Sequence, residues 1–295
     1  RVFSGGEYSH RYYSGRRWWG AMRIFAPLLS FPQNYTNLRD DAPYPFSVEV
    51  SPGSISREDV MTVMRDFYQN SPFDLTAGVA AGPFGNPNRY SGIQHRPGEP
   101  DVKGSWERPI SLYRTDYSVI HEIDGSLPSS VGARLWFGPV AAHSTFYVPH
   151  LGGQLSMHEA LTRGHKGGPI DRKSGMWAAR YLQQIVNLRF DAMMGDVREM
   201  QSKWHEKSLE ALSSAVKNAD NMTEATAIMS TLTSDVVDAW WSAIDYLIFK
   251  YADGNVYGQP SESAAGTATA IGYPDWWLKD VGYPNGPPVI PPEED

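Results

Sequence analysis

Residues 106–150 read WERPISLYRTDYSVIHEIDGSLPSSVGARLWFGPVAAHSTFYVPH, and this stretch decides the fold class. Ile110 to Ile123 is rich in β-branched and aromatic residues, which strands favour. Asp124-Gly125-Ser126-Leu127-Pro128 carries turn chemistry. In the next run Val131, Ala133, Leu135 and Phe137 alternate with Gly132, Arg134 and Trp136, the period of a strand with two unlike faces. Gly138-Pro139 breaks that run, and Ser144 to Val148 resumes it. The reading is strand, turn, strand, turn, strand. Arg108, Arg114 and the pair Trp136-Phe137 lie in or beside these strands. A buried guanidinium needs an anionic partner, so a buried basic strand face is one reading. A meander with edge arginines is the other.

Helical patterns flank the strands. Arg16 to Ala26 carries Trp19, Met22, Arg23 and Ala26 at three-to-four spacing before Pro27 stops it. A helix is expected over residues 56–70: Ser56 caps it, Glu58 and Asp59 suit its positive end, and Val60, Val63, Met64 and Phe67 form its apolar face. On the other side, Ser174 to Asp220 reads as one long helical pattern with a break near Gly195. Thr223 to Tyr251 reads as a second, with Val236, Trp240, Ile244, Leu247 and Ile248 on its apolar face. The two are expected to pack as an antiparallel hairpin. The class is therefore α+β. Residues 1–168 hold the short helices and central strands, 169–252 the hairpin, and 253–295 an extended tail that ends proline-rich and acidic.

Composition narrows the chemistry. A chain of 295 residues with 41% hydrophobic and 13% aromatic content can build a substantial core. A net charge of -7 argues against a nucleic-acid partner. No run of about 18 apolar residues marks a membrane span. There is no cysteine, so no disulfide, thiolate metal site or thiol nucleophile arises from these residues. His143, His150, His158 and His165 recur every seven or eight residues, but no HExxH sets two of them on one helix face, and no metal site is expected. The glycines of Ala80 to Gly92 do not follow a phosphate-loop spacing, and Asp253-Gly254-Asn255 begins no complete calcium loop. No GxSxG elbow supports a serine triad. Asn34 and Asn221 each open a glycosylation sequon, the sole pointer to a secreted or lysosomal location.

Five stretches resemble the N-terminal-nucleophile (Ntn) dipeptidases, the group of bacterial dipeptidase A and the related secernins. They are YYSGRRWWGAMRIFAP (12–27), ISREDVMTVMRDFYQNSPFDLTAGVAAGPFGNPNRY (55–90), RPISLYRTDYSVIHE with LPSSVGARLWFGPVAAHSTFYVPH (108–150), IDRKSGMWAARYLQQIVNLRF (170–190) and GYPDWWLKDVGY (272–283), in the family's order. The resemblance implies an αββα sandwich and hydrolysis of dipeptides or small peptides without a cofactor. In that family the first mature residue is a cysteine whose thiol attacks the carbonyl while its own amino group serves as base. Arg1 departs from this pattern, and the opening RVFSGGEYSH does not look like a natural translation start. The expectation is the C-terminal chain or fragment of such an enzyme, roughly its last two-thirds. An N-terminal chain of the same precursor would supply the cysteine, and a homo-oligomer is a further expected assembly. Related amidohydrolases acting on other amides, and a non-catalytic scaffold or binding relative, are the alternatives. Arg114 and Arg108 are candidate cations for a substrate carboxylate or oxyanion, against a structural ion pair. Asn86 is a candidate oxyanion donor against a turn-forming Asn. Trp136, His143 and Tyr147 are candidate pocket residues against core packing.

Overall fold

The computed structural model describes residues 14–31, 47–51, 53–90, 106–258 and 266–286. Helix α1 (Gly15–Phe25) stops where Ala26 leaves helical geometry ahead of Pro27. Helix α2 (Arg57–Met64) opens on a capping box: the Asp59 N–H donates to Ser56 Oγ at 3.1 Å, and the Asp59 carboxylate accepts from the Ser56 N–H at 2.8 Å. α2 is shorter than the 56–70 its apolar spacing predicts. Tyr68 and Asn70 take positive φ angles of 66° and 58°, which no helix accommodates. That bend sends Tyr68 fully into the core, where its hydroxyl donates to the Arg108 carbonyl at 2.6 Å. Asp66, also buried, accepts from Arg23 at 2.7 Å and so ties the bend to α1.

Strands β1 (Tyr117–Ile123), β2 (Ala133–Pro139) and β3 (Val148–Leu151) form an antiparallel sheet in the order β1-β2-β3. Ile120 pairs with Trp136, and Trp136 with Pro149. Each strand begins later than the sequence pattern suggests. Residues 110–116 form turns, with the Leu112 N–H donating to the Ile110 carbonyl and the Thr115 N–H to the Leu112 carbonyl. A short helical turn, α3 (Ser129–Gly132), takes up the start of the second run. Residues 144–147 are not strand either, because the carbonyls of His143 and Thr145 are taken by a glutamine side chain from a later helix.

Helices α4 (Gly175–Val186), α5 (Phe190–Lys217) and α6 (Met222–Lys250) supply the other layer. The break in the long helical pattern falls at 187–189 and not at Gly195, which lies inside α5. Asn187 is occupied there: its carbonyl accepts from Asn86 and its carboxamide oxygen from Asn88. Arg189 takes φ −146° and ψ 66° and donates to the carbonyls of Ile271 and Gly272. α5 and α6 run antiparallel, with Lys250 and Tyr251 at the end of α6 bonded to Asp196 near the start of α5 at 2.6 and 2.8 Å. The hairpin shares one hydrophobic core with the sheet. Phe146 stacks on Trp240 at 6.0 Å, and Thr226 of α6 accepts from the Leu155 N–H at 3.0 Å. The segment expected as an extended tail contains a two-stranded ribbon, β4 (Asn255–Tyr257) with β5 (Ala268–Ala270), and helix α7 (Asp275–Asp280).

Among the described residues there is one three-stranded sheet and one ribbon, which with the helices makes an α+β protein. No helix among them is long and apolar enough to cross a membrane. Trp240 is fully buried where α6 meets the sheet layer, whereas Ile248 on the same helix is half exposed. Trp240→Ala should therefore cost about 3–5 kcal/mol of unfolding free energy. Ile248→Ala should stay within about 0.5 kcal/mol. Urea unfolding followed by circular dichroism measures both. Equal losses would mean that the hairpin does not share the core.

Candidate functional site

The connector between β2 and β3 is the most enclosed irregular backbone in the described structure. Residues 138–151 are all buried. It begins at Val140, a β-branched residue held at φ 58°, with its N–H donating to the Asp116 carbonyl at 2.9 Å. His143 follows, 1% exposed. Its backbone N–H donates to Ser111 Oγ at 3.0 Å, and its ring Nδ1 lies 2.9 Å from the same oxygen. In the tautomer where the Ser111 hydroxyl donates to Nδ1, the hydrogen of the neutral ring sits on Nε2. That Nε2 has no partner among the described residues. Burial drives the His143 pKa down from 6.5 to about 4, so the ring is neutral at pH 7.

A cleft of about 230 Å³ opens beside this ring. Arg65, just past the end of α2, lines it together with Arg198 and Gln201 of α5. The Arg65 guanidinium reaches the Thr145 carbonyl only at 3.4 Å and lies 5.4 Å from the Tyr147 ring centroid. Its Nε is buried with no partner. Burial lowers its pKa, partly offset by the Tyr147 hydroxyl. Both hydrogens of the Gln201 amide are used on the connector, at 2.9 Å to the His143 carbonyl and 3.0 Å to that of Thr145. Tyr147 turns its hydroxyl to Ser118 Oγ at 2.7 Å.

The other sequence candidates lie elsewhere. Trp136 is wholly buried: it donates to Glu122 at 2.9 Å and carries the Arg57 guanidinium 4.5 Å from its ring centroid. Glu122 also takes a bidentate bond from Arg57 at 2.8 and 3.0 Å and one from Arg134 at 3.0 Å. Burial would raise the Glu122 pKa, but the Arg57 and Trp136 hydrogen bonds hold it below the usual carboxylate range. This cluster locks α2 to the sheet. Arg114 is exposed in the turn before β1, and no ion pair reaches it among the described residues, so the expected buried basic face is not built from it. Arg108 is half-buried and gives its carbonyl to Tyr68. Asn86 is turned onto its own loop: Oδ1 accepts from the Asn88 N–H at 2.9 Å, and Nδ2 donates to the Asn187 carbonyl at 3.2 Å. Asn221 caps α6, accepting from the Glu224 N–H, and Asn34 lies outside the described residues. No three metal-ligating side chains converge among the described residues.

The site thus joins His143 and Tyr147, which the sequence singled out, to Arg65, Ser111, Arg198 and Gln201, which it did not. Gln201 did leave a trace. It occupies the same buried face of α5 as Met194, Val197 and Leu212, and a polar residue on an apolar stripe needs a partner.

The profile of Peptidase family C69 matches residues 1–203. The chain belongs to this family. C69 enzymes are cysteine peptidases, and the dipeptidase A and secernin resemblance agrees with the match. No curated protein matches the chain. Every residue lining the cleft falls inside the C69 match, which ends within α5.

The depressed His143 pKa has a measurable sign. The unfolded chain holds the extra proton between pH 6.5 and 4 while the folded ring stays neutral. The stability tied to this ring is complete above pH 6.5 and is lost as the pH falls toward 4. His143→Gln should therefore reduce the loss of unfolding free energy between neutral and acidic pH, by about 3 kcal/mol at full extent. Urea unfolding of both proteins across that range reads the difference. Parallel curves would mean that His143 titrates alike in both states.

Proposed function

We propose that the chain is the C-terminal part of a cysteine-type Ntn dipeptidase. It would complete an αββα sandwich with a segment outside these residues and hydrolyse dipeptides or small peptides. The membership of residues 1–203 in Peptidase family C69 carries this reading. A C69 peptidase requires a thiol, and these 295 residues contain no cysteine. The nucleophile therefore belongs to another segment, most simply an N-terminal chain of the same precursor. An amino-terminal cysteine unites nucleophile and base in one residue, which fits a chain that shows no nucleophile–base pair of its own. What these residues contribute is the wall of the substrate site and the framework that holds it. The absence of cysteine also favours a second reading, a non-catalytic relative that kept the scaffold and binds small peptides.

Denaturing mass analysis and N-terminal sequencing of natural material separate the two. The dipeptidase reading expects a second, co-purifying polypeptide that begins with cysteine. It also expects dipeptide hydrolysis that iodoacetamide abolishes and chelators leave intact. Faster turnover of N-acyl amides than of dipeptides would move the assignment to a related amidohydrolase. A lone 32.9 kDa chain, folded and inert toward both, would leave the binding relative.

A further inference from the structure

We propose that the cleft between the end of α2, the β2–β3 connector and α5 is a carboxylate pocket that takes the free C-terminal carboxylate of a small peptide. The proposal rests on the peptidase reading for the identity of the ligand, while the anion site itself rests on geometry.

Four observations meet here. The cleft is lined by two guanidinium groups, Arg65 and Arg198, and by no carboxylate. No ion pair among the described residues neutralises either arginine, and the Arg65 Nε–H is buried without an acceptor. A buried guanidinium without an anion is expensive to keep, so a bound anion is the natural partner. His143 adds a second buried nitrogen without a partner among the described residues, Nε2, which is a donor in the tautomer where Ser111 donates to Nδ1. In that tautomer the neutral ring donates a hydrogen bond without needing a proton from solvent. The hydrogens of Gln201 are spent on the connector carbonyls, so they hold the wall and do not compete for the ligand.

Size sets the ligand class. At about 230 Å³ the space is smaller than the roughly 300–1,000 Å³ pockets that enclose drug-sized molecules. It suits one carboxylate with a residue-sized group behind it and not an extended chain. An arginine fork matches a carboxylate edge to edge, and a charge-assisted bond of this kind discriminates sharply against a neutral amide. In this arrangement Arg65 grips the carboxylate from inside, Arg198 meets it at the exposed rim, and His143 Nε2–H donates from the connector side. A peptide held this way is anchored at its C-terminus, which favours short substrates over internal bonds of long chains.

The test uses a dipeptide whose peptide bond is reduced to CH2–NH, so that no hydrolysis intervenes, and its C-terminal amide. Binding to the natural protein is followed by calorimetry and by the NMR signals of the His143 ring. The acid should bind at least tenfold more tightly than the amide and should shift the His143 ring signals. Arg65→Gln should remove that preference. Arg198→Gln, at an exposed position of α5, should weaken the acid several-fold without unfolding risk. Arg114→Ala should leave binding unchanged. Equal binding of acid and amide, or an acid preference lost in Arg114→Ala and kept in both other variants, overturns the pocket. Inorganic phosphate that displaces the dipeptide acid at lower concentration than acetate does overturns the carboxylate assignment. Hydrolysis of ordinary dipeptides is measured separately. Acid-selective, Arg65-dependent binding without hydrolysis upholds the pocket and removes the dipeptidase reading.

Discussion

Burying residues 138–151, connector and strand together, is the constraint around which the described structure is organised. An irregular segment in the core cannot satisfy its backbone by pairing with neighbours as a strand does, and each unpaired group costs about 1–3 kcal/mol. The partners come from four distant places. Asp116 takes the Val140 N–H, Gln183 of α4 faces the Ala141 N–H at 3.5 Å, Ser111 takes that of His143, and Gln201 of α5 supplies two hydrogens to the carbonyls. Gln183 in turn donates to the Tyr113 carbonyl at 2.8 Å. Two helices, the turn before β1 and the sheet are thereby fixed to one another through a single loop. Had the segment been on the surface, water would have done this work and none of these side chains would be required.

The same requirement explains which parts of the fold were legible in the sequence. Regular elements announce themselves through period and caps: Ser56 with Asp59, the stop at Pro27, and the Met229, Val236, Trp240, Ile244, Leu247 face of α6. Boundaries set by long-range bonds do not. The strand-like run from Ser144 reads correctly in its own chemistry, but Gln201, 56 positions from Thr145, takes the carbonyl of Thr145 within it and that of His143 just before it. The break before α5 falls at Asn187 because Asn86 and Asn88 hold it there, and no residue near Gly195 carries that information.

The candidate site divides along the same line. His143 and Tyr147 stood out because a histidine and a tyrosine in an apolar run are conspicuous. Arg65 did not, because a lone arginine after an amphipathic helix reads as solvent-facing; only the path of residues 66–70 turns it inward. Arg114 shows the converse error. Its neighbours promise a strand and a buried face, yet the strand starts at Tyr117 and leaves it in an exposed turn. Sequence pattern reports whether a segment can be regular, but burial of a charge depends on what packs over it.

Two arginine environments in one small region make the functional contrast sharp. Arg57 and Arg134 share the Glu122 carboxylate, and Glu58 and Asp124 each add a second carboxylate to one of them, so their charges are matched within the fold. Their role is complete without any ligand. Arg65 begins at the other end of the same helix with no carboxylate in contact among the described residues, beside a histidine whose outward nitrogen is likewise unmatched. A fold that neutralises one end of α2 so thoroughly has the means to neutralise the other. Leaving two buried nitrogens without a partner among the described residues, beside a rim arginine, costs stability that the proposed ligand would recover. The cleft lies wholly within the span shared with family C69, whereas most of the α5–α6 hairpin extends beyond it. The unmatched charge thus belongs to the part of the chain that defines the peptidase family, and the hairpin serves it by placing Gln201 against the connector.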